Sequence, residues 1–223
     1  AQRFILRYAN AASGEANRTG GARGEELKAI AAMLRRICIE PARSFLEGVQ
    51  LCWLLHIMMS ALGGSALSFG RFDQYLGRLY DQDIREERIT RDEAHELLCC
   101  LWLKINEPML RTVQSMTLGG VTRDGDDGCN ELTRLCLEVV RDMRLPYPNV
   151  GVRINGRSPD WLIEAAADSI LQGAGQPMLM NDSVWIENLV RLGHRLPDAN
   201  DYYNMGCVEI MVPDRMPNWG VTD

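Results

Sequence analysis

The sequence predicts an α/β protein. Residues 150–155 (Val-Gly-Val-Arg-Ile-Asn) alternate apolar and small or polar side chains, the period of a strand, directly after an amphipathic helical pattern over 130–143. A second helical pattern follows at 158–171, then a short apolar run at 178–180, then a third helix opened by Asn181-Asp182-Ser183. Strand, helix, strand, helix, strand is the rhythm of an α/β barrel or a doubly wound sheet. The chain has 223 residues, ample for a sizeable core, and no composition break divides it, so 1–223 reads as a single domain.

Taken in order, residues 9–24 are rich in Gly, Ala, Asn and Ser and read as a loop or helix connection. Residues 25–39 carry Leu27, Ile30, Ala31, Leu34 and Ile37 at helical spacing, and Pro41 ends that helix. Ser44 caps the next, apolar on most sides and reaching about residue 62, where Gly63-Gly64-Ser65 stops it. Residues 65–80 read as a loop into a short helix, with Arg71 and Asp73 in a structural network. Thr90-x-x-Glu93 is a capping box for a helix over 91–106. Within it Cys99 and Cys100 sit among Leu97, Leu98, Leu101 and Leu103 and read as core. Residues 117–128 read as a polar, glycine-rich, solvated loop. Its aspartates lack the spacing of a calcium loop.

Composition narrows the function classes. Forty-six per cent apolar and 24% charged residues are ordinary for a globular chain, and a net charge of −6 argues against nucleic acid or an anionic membrane as partner. The three histidines (His56, His95, His194) match no zinc spacing, so no metal is expected. Seven irregularly spaced cysteines read as reduced thiols, which with no targeting segment predicts a cytoplasmic protein. The sequons at Asn17 and Asn181 are then idle. The most apolar run, 51–59, is too short to cross a bilayer.

The stretch with chemical character is Tyr203-Asn204-Met205-Gly206-Cys207-Val208-Glu209-Ile210-Met211. If 205–211 is extended, Cys207 and Glu209 share a face about 6–7 Å apart. At that range and an effective dielectric near 20, an ionised Glu209 opposes a Cys207 thiolate by about 2.5 kcal/mol. Such a pair suits a cysteine that stays S–H and exchanges a hydrogen atom, beside a carboxylate that takes a proton. The same residues also fit a small buried hydrophobe beside a solvated glutamate.

Gly206-Cys207-Val208-Glu209 resembles the active-site loop of the glycyl radical enzymes, the pyruvate formate-lyase-like superfamily. Residues Ser68-Phe69-Gly70-Arg71-Phe72-Asp73-Gln74-Tyr75 resemble its S-x-G-R-x-D-Q-Y stretch. Asn130-Glu131-Leu132 and Arg144-Leu145-Pro146-Tyr147-Pro148-Asn149 resemble its N-E-L and R-L-P-x-P-N stretches. The likeness runs from about residue 22 onward. It implies a section, about half, of a ten-stranded α/β barrel with the cysteine loop entering the middle. It also implies Cys207 as the thiyl radical that abstracts hydrogen and Glu209 as base. No R-V-x-G-[YF] motif occurs, so a glycyl radical would sit on a missing C-terminal part, and the chain alone would be inert. No bound cofactor is then expected on this chain. The implied partners are a radical S-adenosylmethionine activating enzyme, a small-molecule substrate and a second copy in a homodimer.

Departures from the family pattern bear on substrate. Gly206 stands where a formate acetyltransferase has a second cysteine. Trp219 falls at a family position, but Gly220 and Val221 follow it where the glycerol type has an aspartate, and Gly64-Ser65 replaces His-Ser. Two diol-binding groups are thus absent, which argues against glycerol or propanediol. Ser65, Val113 and Val221 are the pocket candidates, and Ile210 replaces a common proline. Three readings follow: 1,2-elimination of water, amine or sulfite; radical C–C cleavage of the arylacetate decarboxylase or formate acetyltransferase kind; and a non-radical scaffold or a cysteine hydrolase using His194.

Overall fold

The computed structural model describes residues 1–62, 66–107 and 113–215, with Ala174 by its main chain only. It divides into two compact units, residues 1–58 and 59–223.

The first unit is helical. Helix α1 (Gln2–Thr19) and α2 (Gly21–Ile37) meet at Gly20 and Gly21, both at positive φ, and α3 (Phe45–Ala61) begins the next run. The expected loop at 9–24 is therefore wrong: most of it is helix. Alanine is the strongest helix former, and Ala9 and Ala16 bury with Ile5 on one face. Only the Gly20-Gly21 pair, free of a Cβ penalty, makes the break. Ile5, Ala9, Leu34, Ile37, Cys38 and Leu54 form the core of this unit.

The second unit is built on a parallel sheet of β1 (Ala66–Arg71), β2 (Val113–Gly119), β3 (Asn149–Ile154) and β4 (Met178–Asn181). Its strands lie side by side in chain order. A doubly wound sheet reverses order at a switch point, and none occurs among the described strands; sequential order is that of a barrel wall. Helices α4 (Phe72–Arg85), α5 (Arg91–Ile105), α6 (Glu131–Met143) and α7 (Asp160–Ser169) lie in the connections. The unit is α/β and helix-rich, as the strand and helix periodicities predict.

Two strands were invisible to periodicity. Residues 66–71 form β1, not a loop, and 113–119 form β2, which takes in the first residues of the expected loop at 117–128. Ser68, Gln114, Ser115 and Thr117 are polar, yet the last three are fully buried and Ser68 is half-buried. Their hydroxyls and amide have partners inside the fold, which is what permits the burial. The register pairs Ser68 with Ser115, Ser115 with Asn149, and Thr117 with Gly151. One sheet face is thus small and polar, while Met116, Leu118, Val150 and Val152 bury on the other.

The Thr90–Glu93 capping box opens α5 as predicted, and Asn130 with Thr133 forms another for α6. The expectation that Cys99 and Cys100 are core is incorrect: Cys99 is half-buried and Cys100 exposed. Leu98, Leu101 and Trp102 form the buried stripe, and the pair falls on its edge. Helix α7 stops at Ser169 and gives way to a π-helical turn over Ile170–Ala174 with Gly173 at φ 88°. After β4 come α8 (Asp182–Arg191), the short α9 (Leu196–Ala199) and an antiparallel hairpin of β5 (Tyr203–Met205) and β6 (Glu209–Met211). Among the described residues no helix is long and apolar enough to cross a membrane, and no cluster could hold a metal ion.

Candidate active site

Residues 205–211 are not one extended strand. Gly206, Cys207 and Val208 form the turn between β5 and β6, and Met205 pairs with Glu209 across the hairpin. The spacing deduced for an extended chain therefore does not apply. Gly206 allows the turn: its φ is +61°, and a Cβ there would meet Glu209 Oε2 at 2.8 Å. The Glu209 carboxylate folds back over the turn, accepting from the N–H of Cys207 at 2.9 Å and of Val208 at 3.1 Å. Main-chain N–H groups, Glu209's own among them, hold its carboxyl below the usual range, so it is ionised. Cys207 is a free, exposed thiol at the tip, and Val208 is exposed beside it.

The hairpin is anchored by its root. The Asn204 carbonyl accepts from Ser68 Oγ at 2.7 Å and from Ser115 Oγ at 3.0 Å. Asn204 N–H donates to Thr117 Oγ1 at 2.9 Å, while the Thr117 hydroxyl donates to the Asn204 side-chain oxygen. Asn149 Nδ2 donates to the Gly206 carbonyl at 3.2 Å. Gly151 clears the space: a Cβ there would lie 2.9 Å from Asn204 Oδ1. The polar sheet face is thus the docking surface of the cysteine hairpin, and Ala66, Met205 and Met211 seal one side of it.

The approach to the hairpin is gripped by two arginines. Arg71 donates to the Asn200 carbonyl at 3.3 Å, the Asp201 carboxylate at 3.1 Å and the Gly119 carbonyl at 3.0 Å. Arg153, fully buried in β3, donates to the same Asn200 carbonyl at 3.0 Å and to that of Tyr202 at 3.0 Å. Its Nε donates to Asp182 at 2.7 Å, its guanidinium lies 3.9 Å from the Tyr202 ring centroid, and Tyr202 Oη donates to Asp182 at 2.8 Å. Burial and the charge of Arg153 lower the Arg71 pKa. Asp73 accepts from Gly119 N–H at 2.7 Å and Thr133 Oγ1 at 2.6 Å, tying α4 to β2 and α6. Burial pushes its carboxyl up against the pull of those two donors.

Of the predicted site residues, Cys207 and Glu209 share one turn. Val113 opens β2, half-buried, opposite Ala66, whose Cβ would stand 3.4 Å from a Cβ on Gly206. Ser65 and Val221, with Trp219 and Gly220, lie outside the described residues. Thr117, Asn149, Asn204, Arg153 and Asp182 were missed. A visible signal existed for one: Arg153 interrupts an apolar strand, and a charge there demands a buried partner. A cavity of about 750 Å³ beside Asn155, Arg157, Asp182 and Glu187 is lined by neither Cys207 nor Glu209.

The pyruvate formate lyase-like family model matches residues 1–222. The chain is 34% identical over 216 residues to isethionate sulfite-lyase of Nitratidesulfovibrio vulgaris, covering 90% of this chain and 26% of that one. It is 32% identical over 235 residues to (2S)-3-sulfopropanediol dehydratase of Klebsiella oxytoca, covering 98% and 28%. The crystal structure of a glycyl radical enzyme from Archaeoglobus fulgidus superposes with a TM-score of 0.88 at 36% identity, over 95% of this chain and 29% of that one. The chain thus spans little more than a quarter of these relatives, as a section of a barrel of their kind. It belongs to the pyruvate formate lyase-like family of glycyl radical enzymes.

Proposed function

We propose that this chain is the cysteine-loop section of a glycyl radical lyase that carries out a 1,2-elimination. The observation that carries the reading is the hairpin. An exposed thiol stands at the tip of a turn whose root is fastened to the sheet, with an ionised carboxylate folded over the same turn. The sulfite-lyase and dehydratase relatives support the reaction class.

A glycyl radical supplies, when present, an acceptor for the Cys207 hydrogen atom, and an exposed free thiol fits that role. Cys207 sulfur then takes a hydrogen atom from a substrate carbon: an S–H bond forms as a C–H bond breaks. Glu209 accepts the proton of the adjacent hydroxyl, and the neighbouring leaving group departs with its electron pair. Cys207 returns the hydrogen atom to the carbon that the leaving group has left, so its sulfur ends the step one hydrogen atom short of a thiol, as it began, and the elimination is without net redox change. The fastened root keeps the sulfur on one path through these steps, which is where positioning lowers a barrier. The glutamate's low pKa keeps it ionised but makes it a weak base, so the proton must come from a hydroxyl already acidified by the radical beside it.

The partners under this reading are a small polar substrate, a radical S-adenosylmethionine activating enzyme and a second copy in a homodimer. The test uses the complete protein, anaerobic, with such an activating enzyme and a panel of hydroxyalkyl sulfonates and diols. Product from one of them, abolished by Cys207→Ala and sharply reduced by Glu209→Gln, is expected. Carbon dioxide from a labelled arylacetate would overturn elimination. Turnover in air without the activating enzyme would overturn radical chemistry.

A further inference from the structure

Away from the hairpin, helices α5 and α6 bring together a cysteine, a histidine and an aspartate in a relay. Cys99 Sγ lies 3.6 Å from His95 Nδ1, one helical turn away on α5. His95 Nε2 lies 3.2 Å from Asp142 Oδ2 on α6. The contacts are mutually consistent in only one tautomer. If Nε2 carries the proton for Asp142, Nδ1 has its lone pair toward the Cys99 thiol. Asp142 is itself held, accepting from Arg141 Nε at 2.8 Å, and that guanidinium keeps its carboxyl below the usual range.

We propose that Cys99 is a covalent modification site for small soft carbon electrophiles such as α,β-unsaturated carbonyl compounds, with His95 as its base and Asp142 orienting the imidazole. Nucleophile, base and orienter within reach of one another are the geometry of an activated thiol. In the step, a sulfur electron pair forms the C–S bond as the C=C π-bond breaks. The S–H proton passes to Nδ1 and from there to the α-carbon. Nothing is oxidised or reduced.

The surroundings decide how the thiol is activated. Burial, Asp142, Cys100 and Glu96 all push the Cys99 thiol up, while Arg141 faces Asp142. A standing thiolate is therefore disfavoured, and loss of the proton to His95 during attack is the open route. Cys100 supplies an internal control. It is more exposed than Cys99, so accessibility alone predicts that Cys100 reacts first.

This inference is independent of the hairpin chemistry. Its test is labelling of the reduced complete protein with N-ethylmaleimide, read by mass spectrometry in Cys100→Ser and Cys99→Ser proteins. Cys99 is expected to label faster than Cys100. His95→Gln should slow Cys99 by about tenfold or more and leave Cys100 unchanged. Faster labelling of Cys100, or a His95→Gln effect equal at both cysteines, would overturn the proposal. The Cys99-to-Cys100 comparison needs no histidine variant, so it decides even if His95→Gln fails to fold.

Discussion

Thr117 and Asn204 are joined twice: the threonine hydroxyl accepts the Asn204 main-chain N–H at 2.9 Å and donates to its side-chain oxygen. Both residues are fully buried. A single hydroxyl on β2 therefore satisfies one donor and one acceptor at the root of the cysteine hairpin. Replacing that hydroxyl loosens the root without touching the thiol.

Thr117→Val keeps the shape and strands the Asn204 N–H. An unpaired buried donor costs about 1–3 kcal/mol. The expected result is a lowered midpoint in chemical denaturation. Faster amide exchange should be confined to 203–211. Uniform protection across the hairpin in the variant would show that Ser68 and Ser115 hold it unaided.

Arg153→Met removes one side of a fully buried ion pair and leaves Asp182 with only the Val121 N–H and Tyr202 Oη as donors. Breaking such a pair by one partner costs about 3–5 kcal/mol. Replacing both, Arg153→Met with Asp182→Leu, should recover part of the loss. Tyr202 Oη, which donates to Asp182, limits the recovery. Denaturation midpoints of the single and double variants measure the difference.

Gly206→Ala meets two obstacles. Its φ of +61° costs a residue with a Cβ about 1–2 kcal/mol. The new methyl would also press on Glu209 Oε2, 2.8 Å from the ideal Cβ position. The carboxylate should lose its hold on the Cys207 and Val208 amides. The readout is the chemical shift of those two amide protons, which should move toward values for unbonded amides.

The Glu209 carboxyl is held below the usual range by main-chain N–H donors, so its hydrogen bonds stabilise the ionised form. A depressed folded pKa contributes stability that is fully present above the unfolded value and lost as pH falls through the folded one. The Cys207 and Val208 amide shifts should accordingly titrate with a midpoint below that of an ordinary glutamate. Glu209→Gln should abolish the transition. A midpoint above the ordinary value would contradict the folded-back carboxylate.

Most helices and the two later strands of the sheet were legible in the order of residues. The capping box at Thr90, the helical pattern over 130–143 and the alternation through Val150 and Val152 depend on neighbours in the chain, and local rules read neighbours well. The Gly206-Cys207-Val208-Glu209 run was legible too, through its likeness to a family. Strands β1 and β2 were not, because Ser68, Ser115 and Thr117 look solvated until Asn204 supplies partners, and Asn204 is 87 residues from Thr117. The turn at Cys207 escaped for a related reason. An alternating string such as Met205 to Met211 is compatible with a straight strand, and only pairing of Met205 with Glu209 bends it.

By itself the sequence determined the α/β class and the family, and it singled out Cys207 and Glu209 as candidates. Tertiary structure alone decided how those side chains are held: which buried hydroxyls and arginines grip the hairpin, and that Glu209 turns back onto its own turn. The physical reason is that a buried polar group is tolerated only when a partner meets it. Here those partners come from strands and loops far apart in the chain.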